Sequence, residues 1–184
     1  MVAKPVTAKD IAREVAYRLL SVHKDGDITP PPNPLPIGWR GGKSFTDFKR
    51  VVWGGYRHAP HLQLIDDTLM SVVRYLQTDG REGIGKVIIS VPPRHGKTMT
   101  VSKLFPAYVL GCNPMWRVML VSYAANLARK NSRYGRNLMR SDVYRRLYPS
   151  VMIAGDSRAA DAWDTTVGGG MDALGVGGSA TGKG

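Results

Sequence analysis

Gly96, Lys97 and Thr98 close the stretch Val91-Pro92-Pro93-Arg94-His95-Gly96-Lys97-Thr98, and together they are residue types that hold phosphate. Gly96 lets the backbone approach an anion with no side chain in the way. The N–H groups from about Arg94 to Met99 would point at the β- and γ-phosphates, at a helix N-terminus whose dipole favours anions. Lys97 adds a point charge to the same oxygens, and the Thr98 hydroxyl is a ligand for Mg²⁺. The chemistry this predicts is binding of ATP or GTP. The nucleotide-binding set is Pro93, Arg94, His95, Gly96, Lys97, Thr98 and Met99.

The pattern G-x-x-x-x-G-K-[ST] is met except in its first slot, where Val91 stands. Pro92 and Pro93 stiffen the turn through fixed φ instead, and neither has an N–H to donate. The donors that matter most lie downstream of both.

A phosphate loop needs a strand before it and a helix after it. The apolar run 86–91 predicts the strand, and 99–110 is compatible with the helix. Gly111-Cys112-Asn113-Pro114 is a stop and turn. Arg117–Ser122 reads as a second buried strand, followed by a helix over 124–140 and a short one near 142–147. Strand–helix–strand–helix predicts an α/β fold with a parallel sheet and helical crossovers.

Upstream, 61–77 suits an amphipathic helix with Leu64, Leu69, Val72, Val73 and Leu76 broadly on one side, while 45–57 is ambiguous. Residues 7–22 read as a helix capped by Thr7, and 29–37 as an extended Pro-rich linker. Residues 1–40 are thus an appendage, either docking a partner subunit or forming a poorly ordered tail. Residues 41–184 carry the phosphate loop. Toward the end, 163–167 and 173–176 predict two short strands around Gly168-Gly169-Gly170.

Net charge is +12, and most of it falls in residues 81–146, where thirteen lysines and arginines face only Glu82 and Asp142. Such a field attracts polyanions, nucleic acid above all. Within the helix 124–140, Arg129, Arg133, Arg136 and Arg140 recur at i, i+4, i+7 and i+11 on one face. Leu127, Tyr134 and Leu138 lie opposite, where they would pack on the sheet. The stripe is either a solvated face or a contact for DNA or a neighbouring subunit's nucleotide. A single cysteine, Cys112, excludes an internal disulfide and fits a reducing compartment. No apolar run reaches the ~18 residues of a membrane span, and the N-terminus lacks a signal-peptide core. A cytosolic protein is the expectation.

From about His61 to Gly184 the chain resembles the large terminase subunit of tailed phages, the ATP-driven DNA-packaging motor. Pro92-Pro93-Arg94-His95-Gly96-Lys97-Thr98 is similar to the phosphate loop of many members. Ser122-Tyr123, Leu127-Ala128 and Ser132-Arg133 resemble the strand and helix that follow it. Leu147-Tyr148-Pro149 resembles the Phe-Pro that often closes that region. Trp163, Gly169-Gly170, Gly175-Val176-Gly177-Gly178 and Thr181-Gly182 resemble a hairpin leading into the next strand.

The resemblance implies a P-loop NTPase domain of the RecA-like, additional-strand kind, a parallel sheet flanked by helices. It implies ATP and Mg²⁺ as ligands. Double-stranded DNA, a small terminase subunit, the portal of a procapsid and a homo-oligomeric ring are the implied partners, in the cytoplasm of a bacterial host. It also implies two acidic residues on the strand after the Thr-Gly segment, and a later nuclease domain; residues 1–184 reach neither. Asp66-Asp67 falls on a predicted helix before the loop and cannot fill the acidic role. The expectation is a chain that cradles nucleotide weakly and hydrolyses it little. Three further roles carry over: His61 near the adenine, Arg94 toward the γ-phosphate of its own subunit, and Arg133 as a finger acting across a ring.

Two other readings stay open. One is a different P-loop enzyme, a small kinase or helicase-like ATPase, which the Arg stripe fits and the Gly-Val-Gly-Gly segment does not. The other is a non-catalytic basic DNA-binding fragment whose Gly-Lys-Thr is incidental, so that Lys97→Ala would remove only one charge.

Overall fold

The structure, a computed structural model, describes residues 44–155 and 159–176, all within the unit Pro36–Gly184. The readings at 7–22 and 29–37, and the glycines beyond Val176, lie outside the described residues.

The ambiguous stretch after residue 44 is helix α1, Phe45–Val52. Ser44 starts it: its Oγ accepts from the Asp47 N–H at 3.1 Å and bonds the Asp47 carboxylate at 2.7 Å. Helix α2, Pro60–Gln77, begins with proline at a position whose N–H would have no helical partner. Its buried stripe is Leu62, Ile65, Asp66, Leu69 and Val73, whereas Leu64 and Leu76 are exposed. That corrects the expected apolar side by about one residue's rotation. Asp66 is buried because Lys49 of α1 lies opposite it, Nζ to Oδ1 2.7 Å.

After the 91–97 loop the chain enters a π-helical segment, Thr98–Leu104, which runs straight into helix α3, Phe105–Cys112. Pro106 accounts for the wide turn. It lacks an N–H and crowds the preceding turn, so the ladder loosens ahead of it, and the Phe105 N–H bonds the Thr100 carbonyl five residues back. A plain α-helix over 99–110 overlooks this proline. Helix α3 is almost wholly buried and forms the centre of the core. Phe45 and Phe48 of α1 pack on Tyr108 at ring distances of 4.9 and 5.4 Å, and Tyr144 and Tyr148 close the cluster.

Strand β1, Arg117–Ser122, is followed by helix α4, Ala125–Arg140, and helix α5, Asp142–Leu147. Strands β2, Ala162–Asp164, and β3, Gly170–Gly175, complete a three-stranded sheet of order β1-β3-β2. β1 and β3 run parallel, in register from Arg117↔Gly170 to Ser122↔Gly175; β2 and β3 run antiparallel. The sheet is therefore mixed rather than parallel, because the chain doubles back between Asp164 and Gly170. That turn packs so closely that a Cβ on Gly169 would overlap the carbonyls of Pro114 and Trp116.

The expected strand 86–91 does not form: these residues carry no regular secondary structure and belong to no sheet among the described residues. Val87, Ile89 and Val91 are half-buried and Ile88 is exposed, so the alternation is that of a strand with one covered face. Local sequence sets that alternation of covered and exposed side chains. It does not supply a pairing partner. Among the described residues, no helix is long and apolar enough to cross a membrane.

Candidate phosphate-binding site

The stretch 91–99 curls around a concavity of about 320 Å³, lined by Val91, Pro93, Arg94, Gly96, Lys97 and Thr98 with their neighbours in the loop. All seven expected nucleotide-binding residues from Pro93 to Met99 line it. Arg94 has φ +65° and Gly96 φ +81°. Left-handed residues in such a run turn consecutive N–H groups to one side and make an anion-binding hollow. The N–H groups of Arg94 and Gly96 make no backbone hydrogen bond among the described residues. Arg94 holds a left-handed backbone without being glycine, a costly conformation of the kind that collects at ligand sites.

Gly96 is fixed from below. A Cβ there would lie 3.1 Å from Leu62 Cδ2 and 3.5 Å from Trp53 Cη2. The loop thus rests on the end of α1 and the start of α2, and Trp53 and Leu62 support the site with no motif to reveal them. The Gly96 carbonyl accepts from the Thr100 N–H at 2.9 Å, which starts the helix directly beneath the loop.

Two histidines brace the same turn. His95 Nδ1 lies 2.8 Å from the Pro93 carbonyl oxygen, which places the ring proton on Nδ1. His61 Nε2 lies 3.2 Å from the His95 carbonyl oxygen, and the two rings sit 5.6 Å apart, edge to face. His61 therefore touches the loop backbone, a contact that its expected place near an adenine does not include.

Lys97 and Thr98 are exposed at the concavity, so an ammonium and a hydroxyl face whatever occupies it. Among the described residues no carboxylate lines it. Among the described residues, no cluster of three or more His, Cys, Asp or Glu side chains could hold a metal ion. A hydroxyl beside a phosphate cradle suits Mg²⁺, which takes few protein ligands and is held largely by phosphate oxygens and water. Asp66 is committed to Lys49 and Thr46, and Asp67 accepts from Gln63 Nε2 at 2.8 Å.

The arginine stripe divides in two. Arg129 pairs with Asp161 at 3.8 Å, and Arg136 Nη1 donates to the Ala159 carbonyl at 2.6 Å. Both therefore brace the 159–161 segment. Arg129, Arg133 and Arg140 are exposed and Arg136 is half-buried. The buried face of α4 is Ala128, Asn131, Ser132, Gly135 and Met139; Leu127 is exposed, while Tyr134 and Leu138 are only half-buried. The expected Leu127-Tyr134-Leu138 seam is thus corrected. Small residues win because they allow close approach: a Cβ on Gly135 would touch the Lys103 carbonyl at 3.5 Å, and Ser132 Oγ accepts from buried Trp163 Nε1 at 2.9 Å. Arg117 leaves the pool of unbalanced cations, since it bridges Asp164 at 3.0 Å and Asp172 at 3.1 Å across the sheet.

Comparison with known proteins finds no family model, no curated protein and no solved structure that matches this chain.

Proposed function

We propose that this chain is the ATP-binding part of a viral DNA-packaging motor of the large-terminase kind, built on a P-loop NTPase fold of the RecA-like type. The observation that carries the reading is the 91–99 hollow, with the unpaired N–H groups of Arg94 and Gly96 beside the Lys97 ammonium and the Thr98 hydroxyl. In this reading the loop N–H groups bind the β- and γ-phosphates, Lys97 neutralises their charge, and Arg94 leans toward the γ-phosphate. The Thr98 hydroxyl would hold Mg²⁺, which would supply positive charge to the bound phosphates. Arg133 serves a neighbouring subunit's nucleotide in a ring, and duplex DNA is the cargo. The small terminase subunit and the procapsid portal are the partners, in the cytoplasm of an infected bacterium.

Because no carboxylate lines the hollow, these residues bind and orient the nucleotide but offer nothing to activate water. The chain is then a binder with little turnover of its own. The test is titration of a fluorescent ATP analogue with Mg²⁺ into the full chain and its Lys97→Ala variant, with hydrolysis followed in parallel. Saturable binding weakened at least tenfold by the substitution, with little hydrolysis in either protein, supports the reading. Equal binding by both makes Gly-Lys-Thr incidental. Robust turnover that Lys97→Ala abolishes contradicts the binder-only part.

A further inference from the structure

The chain between the phosphate loop and α3 carries two features that holding an anion does not require. The first is the wide turn itself. Thr98–Leu104, seven residues, wind as a π-helix, and α3 continues from them with ordinary α geometry. Wide turns are rare and gather at functional sites. This one begins at the residue after Lys97, in the wall of the 91–99 hollow.

The second is Thr100. Its side chain is wholly buried, and among the described residues its hydroxyl has no hydrogen-bond partner. Folded chains avoid leaving a buried hydroxyl unpaired. In an α-helix a threonine hydroxyl reaches the carbonyl three or four residues back. Four back from Thr100 is Gly96, in the loop. The wide turn therefore leaves unmade a bond that an α register offers.

The two ends of the segment are held unequally. Leu104, Tyr108 and Leu110 are fully buried, and Phe48 of α1 packs on both Tyr108 and Tyr144. Lys103 Nζ lies 4.9 Å from the centre of the Tyr134 ring of α4. Lys97 and Thr98, by contrast, are exposed, and Arg94 holds its left-handed backbone at φ +65°. A change of register must then move the loop end. Closing the turn by one position rotates what precedes it by about 100° and shifts it about 1.5 Å along the axis. Pro106 sets the resting form, because an α register would press its ring on the Ser102 carbonyl four residues back.

We propose that 98–104 is a register switch, wide in the free chain and α-helical when a phosphate group fills the 91–99 hollow. The proposal rests on the phosphate-binding reading of that hollow. Phosphate favours the α form because the first N–H groups of an α-helix point along its axis at an anion. The Thr100 hydroxyl gains the Gly96 carbonyl as the turn closes, so Thr100 is a positioning residue for Lys97 and Thr98. Affinity is then set partly by how often the free chain visits the α form.

Couplings across hydrogen bonds, measured by NMR on the deuterated full chain labelled with ¹⁵N and ¹³C, name the carbonyl that each amide bonds. The Phe105 N–H bonds the Thr100 carbonyl in the free chain, and with the ATP analogue AMP-PNP and Mg²⁺ it should bond that of Val101. Pro106→Ala should show the Val101 coupling with no ligand. Where the wide form outnumbers the α form about tenfold, that variant should bind AMP-PNP about tenfold more tightly. Thr100→Val keeps the branched shape and deletes the hydroxyl. It should weaken AMP-PNP binding about fivefold without lowering the Tm of the free protein, and it carries the test if Pro106→Ala fails to fold. A merely structural Thr100 would change Tm and leave the affinity alone. Loop amides that shift on titration while Phe105 stays coupled to Thr100 overturn the switch and leave the nucleotide reading standing. Unchanged affinity in Thr100→Val overturns the switch as well. If the wild type binds no AMP-PNP, the nucleotide reading falls and the switch falls with it.

Discussion

His61 braces the 91–99 loop from outside, its Nε2 3.2 Å from the His95 carbonyl oxygen. The contact requires the His61 proton on Nε2 and gives α2 a direct hold on the turn that carries Gly96 and Lys97. His61→Ala removes that donor and leaves the loop carbonyl to water. A single neutral hydrogen bond is worth about 1 kcal/mol, so nucleotide affinity should fall about fivefold with the fold intact. Isothermal titration with an ATP analogue reads this, and His61→Gln should restore part of the loss. Unchanged affinity in His61→Ala would show that the loop holds its shape without α2.

Gly96 meets two demands at once. Its φ of +81° costs a residue with a Cβ about 1–2 kcal/mol, and that Cβ would press on Leu62 and Trp53. Gly96→Ala should lower thermal stability by several degrees and abolish nucleotide binding more completely than Lys97→Ala. Differential scanning fluorimetry with and without ATP analogue checks both parts. A variant as stable and as ligand-responsive as wild type would contradict the loop geometry.

Lys49 and Asp66 form an ion pair between α1 and α2 with both side chains shut away from solvent. Removing one partner strands a buried charge, so Asp66→Ala should cost about 3–5 kcal/mol, whereas Lys49→Met with Asp66→Leu should be nearly neutral. Burial raises the Asp66 pKa, outweighing the hydrogen bonds from Lys49 and Thr46. A carboxyl raised in the fold stabilises it most below its unfolded pKa of roughly 4, and that contribution is lost as pH rises through the folded value. Urea unfolding of wild type and Asp66→Asn across pH 3 to 7 should therefore differ most in slope just above the unfolded pKa. Parallel pH profiles would contradict this.

The lone thiol, Cys112, sits among Tyr108, Tyr144 and Tyr148, and burial pushes its pKa up to about 12. At pH 8 it should resist thiol reagents in the native protein and react at once in denaturant. Stability tied to this group holds at neutral pH and is lost as pH climbs toward 12, the direction set by a raised pKa. Rapid native-state labelling by a disulfide reagent would show that α3 is less well covered than described.

Much of this arrangement is legible in the sequence where local chemistry decides it. The apolar run Arg117–Ser122 is a strand to the residue, and the Gly-Lys-Thr loop lines a concavity. What escapes is decided by distant partners. Nothing near Lys49 signals that it is buried, because Asp66 lies seventeen positions along the chain. The buried face of α4 is chosen by how closely Gly135 and Ser132 approach Lys103 and Trp163, and the apolar side chains do not set it. Arg136 looks like part of one exposed stripe with Arg129, Arg133 and Arg140 until the 159–161 segment folds back on it.

The most direct test of the phosphate cradle is a ¹⁵N-resolved spectrum of the full chain titrated with an ATP analogue and Mg²⁺. The account predicts that the amide signals of Arg94, His95, Gly96, Lys97, Thr98 and Met99 shift most, with His61 following, and that Lys97→Ala suppresses the shifts. Shifts centred elsewhere, or none at millimolar ligand, would contradict it.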